Sequence, residues 1–239
     1  MNIKSSYYRK RAQAILTLAE EFYKGIGEYV LAQYGPEKAG AIKKTSMERF
    51  REILSDLPDI GGDKSPLIWT YIEAAVALGF FLAARAHGLS FEDAGRFTFD
   101  LIETYFLSEE GLDSLQKATP ESIHQQRETM KSHSGTPLTP DSWCYVYVEP
   151  AGNSFDIGWN NTECGIIKLY GKYGALEYVP FICMIDSIIY PLRGLGLKRT
   201  HTLVEADHCD FRVTLGGPTV LEPFAEHHKK KWGKTRKQF

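Results

Sequence analysis

The amino-acid sequence predicts an α+β protein: a helical N-terminal half, residues 1–135, packed on a C-terminal lobe, residues 136–239, with a small, mainly antiparallel sheet and helices. Three observations predict it. Apolar residues in the first half recur at three- and four-residue steps, the period of one helix face. That pattern stops in a run of turn-forming residues, Ser132-His133-Ser134-Gly135-Thr136-Pro137-Leu138-Thr139-Pro140. Beyond it, aromatic and β-branched segments alternate with turn signals, as strands do.

The first helix is carried by Ile15, Leu18, Ala19, Phe22, Ile26, Tyr29 and Val30 and ends at Gly35-Pro36. A second is expected over Glu37 to Leu54, with Pro58 to Pro66 as a connector. The segment from Leu67 to Ala86 is the most apolar. Its uninterrupted stretch, Ala74 to Ala84, lies between Glu73 and Arg85 and is shorter than the ~20 residues a bilayer requires, so a buried core helix is expected. Gly88 fits the glycine that closes such a helix, and Ser90 with Asp93 three residues on opens the next, through Phe106. In the second half, Trp143 to Val148 and Phe155 to Trp159 read as a hairpin, Cys164 to Tyr173 and Glu177 to Tyr190 as helices, and Leu197 to Val204 and Cys209 to Leu215 as strands.

With 239 residues, 43% of them hydrophobic and 24% charged, the chain has the profile of an ordinary soluble globular protein. A formal charge of −2 creates no field that attracts nucleic acid or an anionic membrane, and neither is expected as a partner. One local exception is the basic run from His227 to Lys237, which reads as a solvated tail. The four cysteines, Cys144, Cys164, Cys183 and Cys209, are too few and too scattered for a disulfide scaffold. The opening residues, Met1 to Arg11, lack the apolar stretch of a secretory signal, so a reducing cytoplasm is the expected compartment.

Groups suited to chemistry are dense between Asn160 and Arg212: Asn160, Cys164, Cys183, Asp186, Arg199, His201, Thr202, His208, Cys209, Asp210 and Arg212. Cys183 and Asp186 stand three apart on one expected helix, so thiol and carboxylate share a face. A thiol attacks only as thiolate and needs a base or a cation beside it. A buried cysteine that merely packs as a small hydrophobe is the competing reading. Alternation along the strands would bring Arg199, His201, Asp210 and Arg212 to one polar face able to grip a carboxylate, against the plainer reading of surface ion pairs. Cys164, Cys183, Cys209 and a histidine add up to a tetrahedral set, but no Cys-x-x-Cys pair occurs and no metal or other cofactor is expected. Glycine fingerprints for dinucleotides and phosphates are absent, as is a Gly-x-Ser-x-Gly elbow.

The Asn-Thr-x-Cys segment ending at Cys164, then Cys183-Met184-Ile185-Asp186, Leu197-Lys198-Arg199-Thr200-His201-Thr202-Leu203 and Cys209-Asp210-Phe211-Arg212, taken in that order, resemble the L-2-amino-thiazoline-4-carboxylic acid hydrolase family. The resemblance covers roughly the last hundred residues. It implies hydrolytic opening of a five-membered thiazoline ring to a carbamoyl cysteine, on a route to L-cysteine, with a small carboxylate as substrate. It maps onto Cys183, Asp186, Arg199, Thr202, Cys209, Asp210 and Arg212. The turn Val204 to His208 departs from the family in having no glycine and being one residue short.

Ring carbon 2 of such a cyclic amidine is electrophilic, which suits Cys183 as nucleophile with Cys209 as the alternative. Asp186 or Asp210 then serves as proton carrier and Arg199 or Arg212 as carboxylate clamp, with His201, Thr202, Asn160 and Cys164 lining the site. Two alternatives stand beside it. The small lobe is also similar to ligand-binding modules of the 4-vinyl reductase type, which bind a hydrophobic molecule or a metal without turnover, and the same groups would support hydrolysis of another cyclic amide or thioimidate. Whether the helical half covers the site or joins copies in a homo-oligomer is left open by the sequence.

Overall fold

The computed structural model describes residues 1–152 and 154–235. By contacts they fall into two units, between which the chain passes repeatedly: Met1–Leu101, Leu138–Ser142 and Lys168–Val179 form the first, and Ile102–Pro137, Trp143–Ile167 and Pro180–Phe239 the second. The class is α+β, as expected.

The first unit is helical. After α1 (Ser6–Lys10), the long helices α2 (Ala12–Tyr34) and α3 (Pro36–Ser55) meet at Gly35, whose φ of 83° turns the chain so that Pro36 can open α3. Both pack on α4 (Ile68–Ala86), the expected buried helix. By length and composition α4 is apolar enough to cross a membrane, yet 72% of its most apolar stretch is buried inside the protein. Close approach is needed to bury it: a Cβ on Gly79 would lie 2.4 Å from the Tyr23 hydroxyl and 3.1 Å from the Ser46 carbonyl oxygen, so only glycine lets α3 approach. Two buried hydroxyls in this apolar packing find backbone acceptors, Tyr23 on the Val76 carbonyl at 2.8 Å and Tyr170 on that of Ala74 at 2.9 Å. Glu73 on the same helix is exposed, yet desolvation by its surroundings raises its carboxyl pKa to about 7. Gly88, at φ 65°, follows α4, and the Ser90 hydroxyl receives the Asp93 amide at the start of α5 (Phe91–Leu107), both as the sequence foretells.

The second unit holds the sheet. Helices α6 (Glu109–Ser114) and α7 (Pro120–Ser132) precede β1 (Cys144–Val148) and β2 (Ile157–Glu163). Then come α8 (Gly165–Lys172), which runs on into the first unit, α9 (Val179–Cys183), α10 (Asp186–Leu192), β3 (Leu195–Lys198), β4 (Cys209–Leu215) and α11 (Pro223–Thr235). Strand order is β1-β2-β4-β3, antiparallel throughout, and α10 packs on β3. A Cβ at Gly196 would sit 2.3 Å from the Gly217 carbonyl carbon, so this glycine lets β3 run tight against the turn after β4.

Three expectations are corrected. The helix expected over Glu177 to Tyr190 is broken into a 3-10 turn, α9 and α10, with turns at Met184 and Ile185 between Cys183 and Asp186. The strand expected to reach Val204 ends at Lys198, because Arg199 turns its amide to the Val220 carbonyl and the chain then curls into the Thr202–Ala206 turn. The basic run is no solvated tail as far as it is described: it lies within α11, where His228 and Trp232 are buried against Phe181 and Phe224. Arg236 and Lys237 lie outside the described residues.

Candidate functional site

Strand register sorts the polar residues onto two faces. Asn161 pairs with Cys209 and Trp159 with Phe211, while between them Asn160 pairs with Asp210 and Gly158 with Arg212. Opposed residues share a face and neighbours alternate, so Trp159, Asn161, Cys209 and Phe211 lie on one side and Asn160, Asp210 and Arg212 on the other. Trp159 and Phe211 stack at 4.8 Å, and the Arg199 guanidinium stands 5.1 Å from the Phe211 ring centre, which places it on the Cys209 side. The four-residue face expected from alternation is therefore split. Arg199 parts from Asp210 and Arg212 because the sheet separates them.

On the Cys209 side Arg199 organises a buried cluster. Its side chain is 1% exposed. Nε and Nη2 donate to the two Glu222 oxygens at 2.9 and 3.1 Å, Nη2 also to the Cys183 carbonyl at 3.0 Å, and Nη1 to Asp186. Burial works against its charge, but Asp186, Cys183 and Glu222 outweigh that and raise its pKa further. Glu222 is only 2% exposed, whereas Asp186 keeps 28% of its side chain open. Even so, burial raises the Asp186 carboxyl above its ordinary value, with Arg199 pulling the other way. A carboxyl that is desolvated yet keeps part of its surface open can exchange a proton with a ligand.

The thiols gather at the same place. Cys164 and Cys209 both act electrostatically on Cys183, and Cys164 acts on Cys209. Burial pushes Cys183 well above the usual thiol value, opposed by Arg199. Burial pushes Cys209 up to about 11, although the Leu203 amide donates to its sulfur at 3.2 Å. All four cysteines are free, and Cys183 and Cys209 are thiols at neutral pH. Forming the Cys209 thiolate at pH 7 would cost roughly 5 kcal/mol, at ~1.4 kcal/mol per pKa unit.

The other face is satisfied. Asp210 accepts from the Thr200 amide at 2.8 Å, its hydroxyl at 2.7 Å and the His201 amide at 3.1 Å. Burial alone would raise this carboxyl, but these bonds hold it below its ordinary value. Asp210 thus clasps the start of the Thr200–His208 loop. Arg212 donates to the Trp159 and Phe211 carbonyls at 3.0 and 2.8 Å and to the Asn160 side-chain oxygen at 2.9 Å. His201 meets His208 with ring nitrogens 3.2 Å apart, and buried Thr202 receives the Val204 amide on its hydroxyl at 3.4 Å. These groups bond one another and the loop backbone rather than the Arg199 cluster.

Of the residues singled out in the sequence, Cys164, Cys183, Asp186, Arg199 and Cys209 come together; Asn160, Asp210 and Arg212 lie on the other face, and His201 and Thr202 stand in the loop whose Leu203 amide reaches Cys209. Two were missed. Glu222 has no spacing relation to Arg199, 23 residues away, and its one mark is the Glu-Pro pair that opens α11. Asn161 was legible: in Asn161-Thr162-Glu163-Cys164 it is Asn161, not Asn160, that alternation puts beside Cys209. A recess lined by Pro120, Ile123, His124, Arg127, Asp156 and Leu215 lies at the far end of β4 from Cys209. Among the described residues no group of three or more His, Cys, Asp or Glu side chains is arranged to hold a metal ion.

A family model described as L-2-amino-thiazoline-4-carboxylic acid hydrolase matches residues 73–213, a span that includes Cys164, Cys183, Asp186, Arg199 and Cys209 and stops short of Glu222. No curated protein and no solved structure matches the chain.

Proposed function

Since the chain belongs to the L-2-amino-thiazoline-4-carboxylic acid hydrolase family, we propose that it opens the ring of L-2-amino-thiazoline-4-carboxylate with water, using Asp186 as proton carrier. The observation that carries this reading is the Asp186 carboxyl, reachable from solvent, desolvated, and oriented by a buried arginine. Asp186 takes a proton from water as the water oxygen bonds to ring carbon 2 and the C=N pair moves onto the ring nitrogen. That pair returns as the carbon–sulfur bond breaks, the proton on Asp186 passes to the departing sulfur, and the added hydroxyl gives its proton to the ring nitrogen, leaving a carbamoyl cysteine.

The raised thiols favour water over Cys183 or Cys209 as nucleophile, because each would first have to be ionised at considerable cost. Near the Asp186–Arg199 pair they are neutral, polarizable groups suited to a sulfur-containing ring. An acid-and-arginine cluster around the thiols also supports turnover over a sensor of the 4-vinyl reductase type, for which an apolar cavity would be expected.

Timing loss of the thiazoline acid tests the reading. The native protein should convert it, Asp186→Asn should lose about 100-fold or more in kcat, and Cys183→Ser and Cys209→Ser should each keep at least about a tenth. A mass adduct trapped on either cysteine, together with a dead serine variant, would replace water by covalent catalysis. No conversion by the native protein would remove the reading altogether.

A further inference from the structure

The cations first expected to clamp a carboxylate are already engaged. Arg199 is sealed between Asp186, Glu222 and the Cys183 carbonyl, and Arg212 is held on the opposite face by two carbonyls and Asn160. An anion brought to Arg199 would also meet two carboxylates. A substrate that carries its own carboxylate needs a different cation, set apart from this cluster.

We infer that Asp186, Tyr190 and Arg193 form one ligand-facing stripe of α10, in which Arg193 and Tyr190 hold the carboxylate of the acid whose ring Asp186 serves. This rests on the proposed function for the identity of the acid. The spacing i, i+4, i+7 puts the three on one side of a helix, about 6 and 10 Å apart along its axis. All three are partly exposed, while Ile188, between them in sequence, is buried. The Tyr190 hydroxyl makes no hydrogen bond to any described residue. Burial raises its pKa, Asp186 raises it further, and Arg199 and Arg193 oppose, so the phenol stands in the field of all three groups and remains a neutral donor.

Arg193 ends α10 as its C-cap, where its Nε donates to the Gln116 carbonyl at 3.2 Å. That bond fixes the guanidinium and leaves both terminal amino groups without an acceptor among the described residues. A planar fork held at one nitrogen and open at the others is the arrangement that grips a carboxylate. The stripe therefore reads along α10 as proton carrier, neutral donor and carboxylate fork, with the five-membered ring spanning the first and the last.

Two ligands and two readouts test it: the thiazoline acid and 2-amino-2-thiazoline, the same ring without its carboxylate, each followed by calorimetric binding and by ring opening. Arg193→Gln should weaken binding of the acid, and raise its KM, about 30-fold or more, while affinity and turnover of the neutral ring stay within about threefold. Tyr190→Phe should weaken the acid about three- to tenfold. Arg193→Lys, which keeps the charge and lacks the fork, should fall between native and Arg193→Gln, and it serves if the glutamine variant does not fold. Equal affinity of native and variant proteins for the acid, or equal losses for both ligands, overturns the assignment, as does a native protein that binds no acid. Native protein that binds the acid through Arg193 without opening it sinks the proposed reaction and leaves this assignment standing.

Discussion

Arg199 and Arg212 leave one sheet on opposite faces and meet opposite surroundings. Arg212 finds neutral acceptors, two carbonyls and an amide, and its neighbour Asp210 is saturated by two amides and a hydroxyl. Arg199 finds two carboxylates and carries the charge balance of a nearly dry cluster. The lesson is that identical residue types become scaffold or chemistry according to what remains unsatisfied. Asp210 has spent its acceptor capacity on the backbone, and its carboxyl is lowered. Asp186 has one strong partner and an open side, and its carboxyl is raised.

The largest expected contrast comes from removing each guanidinium. Arg199→Met strands two carboxylates in a buried site and should cost about 3–5 kcal/mol in urea unfolding. Arg212→Met loses hydrogen bonds at a part-exposed position and should cost about 1–2 kcal/mol. Similar losses in both variants would abolish the distinction between the faces.

A smaller contrast lies in how stability depends on pH. The native Asp210 carboxyl is lowered, so its contribution is present above the unfolded pKa of about 3.9 and is lost as pH falls through the native value. The native Asp186 carboxyl is raised, so the native state keeps that proton to higher pH than the unfolded chain does. Its contribution is full below about 3.9 and declines as pH rises toward the native value. Relative to the native protein, Asp210→Asn should therefore lose ground as pH rises from 3 to 6, and Asp186→Asn should gain it. Parallel slopes in the two series would contradict the assigned directions.

The same electrostatics reach activity. If ionised Asp186 is the base, kcat/KM should fall as pH falls through a carboxylate pKa raised above its ordinary value. Glu222 is one of the charges that raise it, so Glu222→Gln should move that acid limb to lower pH by about half a unit to one unit. A limb that does not move would assign it to another group.

Much of this was legible in the sequence, and the rest failed for physical reasons. Helices α2 and α3 announce themselves because each buries one periodic face, α4 because its apolar run is unbroken and α5 because Ser90 and Asp93 mark its start, and the thiols, Asp186 and Arg199 fall in one short stretch. Helix α7 buries only Ile123 and Met130, so periodicity is weak there, although Thr119 and Ser122 form a capping box at its start. The pairing of Arg199 with Asp186 rather than Asp210 could not be read by extending a strand, because the strand ends one residue before Arg199 to meet Val220. Glu222 was invisible for a related reason: its role is set by where α11 begins in space, which no local pattern encodes.

The faintest contrast concerns two adjacent asparagines, and it tests the register itself. Asn160 accepts from Arg212 on the satisfied face, so Asn160→Ala should cost about 1 kcal/mol of stability and leave kcat and KM within about twofold. Asn161 pairs across the ladder with Cys209 on the face that holds Arg199, and no described side chain or backbone group bonds to its amide. Asn161→Ala should therefore leave stability within about 0.5 kcal/mol while raising KM for the thiazoline acid severalfold, because what it loses is an interaction with ligand and not with protein. An exchange of these effects between the two positions would require β2 to be shifted by one residue, which would carry Trp159 and Asn161 off the Cys209 face and leave Asn160 there instead.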